Sequence, residues 1–150
     1  MSTRRLPLFV DTGPLYARFN TTDANHERAL QVFKAVRDDR LATVPLYTSR
    51  YVLVETTRLL LHHVDHATAV RALSAVCESA LFSILEVDRT TFDRACEQFG
   101  QYDDQEISLT DHISALLAED VSADRVYSFD SDFRTLGFGL VPADINSDSL

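Results

Sequence analysis

Lysine is almost missing from this chain: Lys34 stands alone beside thirteen arginines. Glycine is scarce as well, at four residues. No Gly-x-x-x-x-Gly-Lys-Ser/Thr stretch occurs, and no glycine-rich dinucleotide fingerprint, which removes P-loop NTPases and Rossmann-type cofactor enzymes. Cys77 and Cys96 are too few for a disulfide framework and lack metal-site spacing, so they read as small core or half-buried thiols. No run approaches the ~18 uninterrupted apolar residues of a membrane span. Arg4 and Arg5 precede an apolar run, but that run is short and is broken by Pro7 and Asp11, unlike a secretory signal. These absences point to a cytoplasmic protein with no membrane contact.

What is present is acid. The formal net charge is −9, and Asp outnumbers Glu sixteen to seven. That balance counts against general nucleic-acid binding, whose affinity comes mainly from Lys and Arg. An acidic excess with almost no lysine suggests a halophilic origin, where high ionic strength screens self-repulsion. A GC-rich genome with a mild acidic bias gives the same composition. The 150 residues are 45% hydrophobic, enough for one domain spanning 1–150 with its own core.

Strand and helix patterns alternate along the chain, without repeats or linkers. Leu6 to Val10 reads as a buried strand. Thr12-Gly13-Pro14 opens a helix, with proline in the first turn where its missing N–H is harmless. Thr22 or Asp23 caps a second helix through Asp38, with Leu30, Phe33 and Val36 as its apolar face. Thr43 to Tyr47 is a short strand, and Thr48 or Ser49 caps a helix to about His63. Asp65 starts another helix through Ser79, with Ala69, Leu73, Val76 and Ala80 on one face. Leu81 to Val87 is a strand, and Thr90 to Phe99 a helix ended by Gly100. A polar loop, Gln101 to Glu106, leads to a helix capped by Ser108 and ending near Val121. Arg125 to Phe129 is a strand, Ser131 to Leu136 a helical turn, and Gly139 to Pro142 a last strand. Strands separated by helices need crossovers, so the sheet should be mainly parallel with helices on both faces. Ligands of such sheets bind beyond the carboxyl ends of the strands.

Four acids stand out in this frame. Asp11 and Asp130 end strand-like runs; Glu55 and Asp111 lie in helical patterns. Each has an ordinary structural alternative. Asp11 can cap the helix after it. Glu55 borders the apolar stripe, between Val52 and Leu59 on one side and Arg58 on the other, and can pair with Arg58 at i+3. Asp111 stands three residues after Ser108, as in a capping box. Asp130 can cap the turn that follows. Brought together, the four would repel strongly. The usual way to hold such a cluster is a divalent, oxygen-liking cation, and such a cation suits phosphate chemistry.

Taken in order, Phe9-Val10-Asp11-Thr12-Gly13-Pro14-Leu15, Val54-Glu55, Leu109-Thr110-Asp111-His112 and Ser128-Phe129-Asp130-Ser131-Asp132-Phe133 resemble the PIN-domain nucleases. They look most like the small VapC-type toxins of prokaryotic toxin–antitoxin pairs. The resemblance spans essentially the whole chain. It implies a three-layer α/β/α fold with a mainly parallel central sheet. It also implies a metal-dependent endoribonuclease, with Mg²⁺ or Mn²⁺ held by Asp11, Glu55, Asp111 and Asp130. Thr12 matches a position where the family often has a hydroxyl. Asp132 is a fifth member of the cluster or a solvated acid just outside the ligands, and it can share or take the role of Asp130. Hydrolysis would proceed by in-line attack of water, leaving 5′-phosphate and 3′-hydroxyl ends. The same resemblance implies a homodimer and a small antitoxin partner that blocks the acidic groove. Two alternatives stay open: a PIN nuclease of RNA processing without an antitoxin, and an inactive RNA- or protein-binding module.

Rival families fit less well. Phosphotransfer receiver domains and haloacid-dehalogenase-like phosphatases also put an Asp after a parallel strand, but rely on a lysine at a later strand end. Lys34 lies in an early helix, and the phosphatase's second Asp falls here on Gly13. His62 and His66 have i, i+4 spacing, but a helix starting at Asp65 breaks that geometry. Phe9, Phe82 and Phe129 read as core strand residues. Arg18, Arg50, Arg58 and Arg134 are candidates for holding RNA phosphates.

Overall fold

The computed structural model describes residues 6–41, 43, 45–103, 106–146 and 150. Arg4, Arg5 and Val44 lie outside them, as do two residues of the polar loop before Ser108. Five parallel strands form one sheet: β1 (Leu8–Val10), β2 (Leu46–Ser49), β3 (Phe82–Leu85), β4 (Arg125–Tyr127) and β5 (Gly139–Val141). Their spatial order is β3-β2-β1-β4-β5, and every pairing is parallel. Seven helices connect them: α1 (Thr12–Phe19), α2 (His26–Arg37), α3 (Arg50–His63), α4 (His66–Cys77), α5 (Arg89–Gln101), α6 (Leu109–Asp120) and α7 (Asp132–Thr135).

Topology sorts the helices into layers. From β1 the chain steps outward to β2 and β3, and right-handed crossovers put α1 to α4 on one face. It then returns across the sheet to β4 and moves on to β5, which puts α5, α6 and α7 on the other. The contacts agree, since α1 packs on α2 and α3, α3 on α4, and α5 on α6. The expected α/β/α arrangement is therefore present. The direction of winding reverses between β1 and β4, and at such a switch point adjacent connections diverge and leave a crevice at the carboxyl ends.

The central strand β1 is wholly buried, and its Leu8, Phe9 and Val10 join Val126 and Tyr127 of β4 in the core. The Tyr127 hydroxyl reaches its one need, donating to the Ala29 carbonyl at 3.0 Å. Helix starts are fixed by side chains. Ser49 Oγ accepts from the Val52 amide, and Asp65 and Asp88 accept from Thr68 and Thr91. Thr48 is not a cap; its hydroxyl donates across to the Val10 carbonyl at 3.0 Å.

Some expectations shift. The second helix begins at His26, because Asp23 folds back onto the Asn25 amide in a turn instead of capping a helix. Its buried face is Ala29, Val32, Ala35 and Val36, with Leu30 exposed. Helix α5 runs through Gly100 and ends at Tyr102, whose amide still bonds the Gln98 carbonyl. Glycine ends a helix only where it adopts a left-handed conformation, and Gly100 does not. Cys77 and Cys96 are exposed, the first at the end of α4 and the second on the outer side of α5. Phe129 lies beyond β4, so it is not a strand residue.

Candidate metal centre

The site is built on the switch point. Where β1 ends, the Asp11 amide donates to the Tyr127 carbonyl at 3.0 Å, so the ends of β1 and β4 stay joined. Asp11 has extended backbone and occupies the position before α1, yet its carboxylate makes no bond across the first helical turn. The Ser128 hydroxyl instead donates to Asp11 Oδ2 at 2.8 Å. The same Ser128 oxygen accepts the Asp130 amide at 3.0 Å. One small hydroxyl thus fixes the first and the fourth acid relative to each other. Next to Asp11, the buried Thr12 Oγ1 has no hydrogen-bond partner among the described residues.

Glu55 reaches the crevice from the second turn of α3, half-buried. No ion pair joins it to Arg58 among the described residues. Asp111 enters from the first turn of α6, where the capping box is complete. Its amide donates to Ser108 Oγ at 3.1 Å, and its carboxylate accepts the Ser108 amide at 3.2 Å. Asp111 therefore has a structural duty, yet its side chain still faces the crevice. Asp130 is exposed and accepts the Asp132 amide at 2.9 Å, a local turn ahead of α7.

Asp11, Glu55, Asp111 and Asp130 line one cleft of about 610 Å³, together with Thr12, Ser108 and Ser128. At its edge, Asp132 joins Asp111 and Asp130: one carboxylate oxygen of each lies within 4.8 Å of the others. Asp132 thus stands closer to two of the four acids than a solvated outer residue would. Among the described residues, no set of three metal-ligating side chains that close includes a histidine. His66 begins α4 after the chain has turned at Val64 and Asp65, so the His62 and His66 spacing spans two helices.

Electrostatics in the cleft run against ionisation. Burial pushes the Asp11 carboxyl up to about 7, and the Asp111 charge adds to it. The Ser128 hydrogen bond and the dipole of the neighbouring Thr12 amide offset part of the rise, and Glu55 adds a little more. Burial likewise raises Asp111 to about 6, with the Ser108 bonds opposing and the charges of Asp130 and Glu55 contributing. Asp132 is raised by desolvation and by Asp130. Two buried carboxyls with such values want either a proton or a cation. The donors available are all oxygens: carboxylates and the unpartnered Thr12 hydroxyl. That set suits a hard cation such as Mg²⁺ or Mn²⁺ rather than zinc or copper.

The PIN domain family model matches residues 8–139. The chain belongs to the PIN domain family. Among solved structures, this PIN domain resembles the VapC20 toxin of Mycobacterium tuberculosis, which cleaves the sarcin–ricin loop. The two are 29% identical with a TM-score of 0.78, over 88% of this chain and 96% of that one. It also shares its fold with FitAcB from Neisseria gonorrhoeae, at 16% identity and a TM-score of 0.64, over 92% and 99% of the two chains. The curated proteins contain no match. The fold and these likenesses make it a VapC-like PIN domain.

The crevice gathers all four acids singled out in the sequence. Ser128 was not singled out, although it holds two of them; a small hydroxyl leaving a strand gives no pattern of its own. Phe129 packs against the core at Tyr127 and at the same time borders the cleft beside Asp130. Of the four candidate arginines, Arg134 is held by two bonds to Asp144. Arg18 lies at the opposite end of the sheet, beside Leu46 and Phe82 where β2 and β3 begin.

Proposed function

We propose that this PIN domain is a metal-dependent endoribonuclease and the toxin of a VapBC-type pair. The observation that carries the reading is the convergence of Asp11, Glu55, Asp111 and Asp130 on one cleft, with the carboxyls of Asp11 and Asp111 raised to about 7 and about 6. A module that only binds RNA has no use for such a repulsive set. Likeness to a toxin that cleaves the sarcin–ricin loop supports RNA as the substrate.

In this reading Asp11, Glu55, Asp111 and Asp130 hold Mg²⁺ or Mn²⁺, with Asp132 beside them. The chemistry such a cation supplies is polarisation of a phosphodiester oxygen and acidification of an attacking water. The chain's own part is to present anionic oxygens without reorganisation. Ser128 orients Asp11, and the Ser108 amide orients Asp111. Thr12 Oγ1 is free to donate into the cleft. The described helices include none long and apolar enough to cross a membrane. The proposed site of action is the cytoplasm. A homodimer and an antitoxin that covers the acids complete the proposal. So does an origin at high ionic strength, for which equal stability in low and molar salt would be contrary evidence.

The test is cleavage of RNA by the purified protein with Mg²⁺ or Mn²⁺, with EDTA, and with Asp11→Asn, from low to molar salt. Cleavage lost with both EDTA and Asp11→Asn supports the mechanism. A folded protein that neither cleaves RNA nor binds metal is a binding module instead.

A further inference from the structure

A second groove, of about 550 Å³, adjoins the acid cleft. Its walls come from the start of α3 and the segment leaving β3: Arg50, Tyr51, Val54, Arg58, Leu85 and Val87. Glu55 lines both hollows, and Thr110, the residue before Asp111, closes the near side. A strand with one phosphodiester at the acids can therefore lay a neighbouring nucleotide on this surface.

The groove differs from the cleft in kind. Tyr51 is 40% exposed and Val54 67%, an apolar surface on a helix whose other side is buried. The Tyr51 ring lies nearly parallel to Phe92, at 27° with centroids 6.2 Å apart, which limits its orientations. Arg50 is paired with Glu86 across the mouth. Arg58 is exposed and has no carboxylate partner among the described residues, in a chain of net charge −9. An oriented aromatic face, an apolar floor and a free guanidinium complement a flat ring joined to an anion. That is a nucleotide with its base unpaired.

We propose that this groove seats an unpaired base of the RNA next to the scissile phosphodiester, with Tyr51 stacking on the base and Arg58 holding the adjoining phosphate. The assignment rests on the nuclease reading above. It makes Tyr51 and Val54 determinants of cleavage sequence, and Arg58 a contributor to affinity without sequence preference.

The experiment maps the ends produced from a pool of random-sequence single-stranded RNA with Mn²⁺ present. It compares the unaltered protein with Tyr51→Ala, Tyr51→Phe, Val54→Glu and Arg58→Ala, and measures KM and kcat for one preferred oligonucleotide. Tyr51→Ala is expected to raise KM about tenfold, with kcat little changed, and to flatten base preference at one position beside the cut. Tyr51→Phe should keep both. Val54→Glu alters a side chain too exposed to unfold the helix and should act like Tyr51→Ala at an unchanged melting temperature. Arg58→Ala should raise KM evenly across sequences. An unchanged KM and cleavage profile in both Tyr51→Ala and Val54→Glu, with the unaltered protein active, overturns this assignment alone. Conversion of a dimer to a monomer in those variants overturns it in favour of a second copy of the chain on this face. An unaltered protein that neither cleaves nor binds the RNA pool removes the nuclease reading, and this assignment with it.

Discussion

Aspartate does opposite work in two parts of this molecule. At Asp65 and Asp88, ahead of α4 and α5, the carboxylates are exposed and their pKa values are held below the ordinary range. Asp65 takes bonds from the Thr68 hydroxyl and amide, and Asp88 from the Thr91 amide and hydroxyl. At Asp11 and Asp111 the carboxyls are buried among other acids and are raised. The first pair stabilises the fold by being charged, whereas the second makes the charged fold less stable. Side chains that burden the fold in this way mark a site kept for a ligand.

The sign of each effect follows from linkage. The cap acids have depressed pKa values. Their contribution is present above the unfolded value of 3.8 and is lost as pH falls through the folded value. For Asp11 the folded value is about 7 against 3.8 unfolded, so the native state binds the extra proton between them. The metal-free protein should therefore lose stability as pH rises from about 4 to about 7, and Asp111 adds to the slope up to about 6.

The sharpest test of the contrast is Asp11→Asn. Metal-dependent cleavage should fall below detection, while the metal-free protein gains stability at pH 7, by a few kcal/mol at most. Urea denaturation against pH should show the acid-to-neutral decline flattened. A variant that keeps its cleavage, or loses stability at pH 7, would contradict the assignment of this residue. Adding Mn²⁺ to the unaltered protein should raise its melting temperature at pH 7 and have little effect at pH 4, where Asp11 and Asp111 hold protons.

Ser128→Ala comes next. It releases Asp11 and Asp130 from their shared hydroxyl. A loss of roughly 10- to 100-fold in cleavage or metal affinity is expected, as for other groups that orient metal ligands. Isothermal titration with Mn²⁺ and initial rates would measure it. Asp88→Ala should do the reverse of Asp11→Asn: a lower denaturation midpoint at pH 7, with no change in cleavage. If cleavage fell as well, the division between the two classes of acid would be wrong. Arg134→Ala breaks two bonds to Asp144 on an exposed surface and should shift neither stability nor cleavage by much.

Much of this could be read from the chain because the signals are local. A run of apolar residues that stops at an acid marks both a strand end and a site, as at Asp11 and near Asp130. Ser49, Asp65 and Ser108 announce helix starts, because an N-cap bond reaches only three residues. Other features depend on neighbours. The larger apolar residues Leu30 and Leu73 were the natural choice for buried faces, yet both are exposed. Close packing of α2 and α4 favours their small residues, Ala29, Val32, Ala69 and Ala72. Gly100 had the composition of a helix stop but not the backbone conformation.

By itself the sequence determined the element types, their order, and the positions of four acids at strand ends and helix starts, since each is set within a few residues. Parallel pairing followed from helices between strands. Only the tertiary structure decided that winding reverses between β1 and β4, which brings residues 11 and 130 to one crevice. It also decided that Asp132 joins Asp111 and Asp130, that Ser128 links two acids, and that Tyr51 and Arg58 border the cleft. These relations join residues far apart in the chain, and their strength comes from low local dielectric and mutual repulsion, which exist only once the sheet has closed over them.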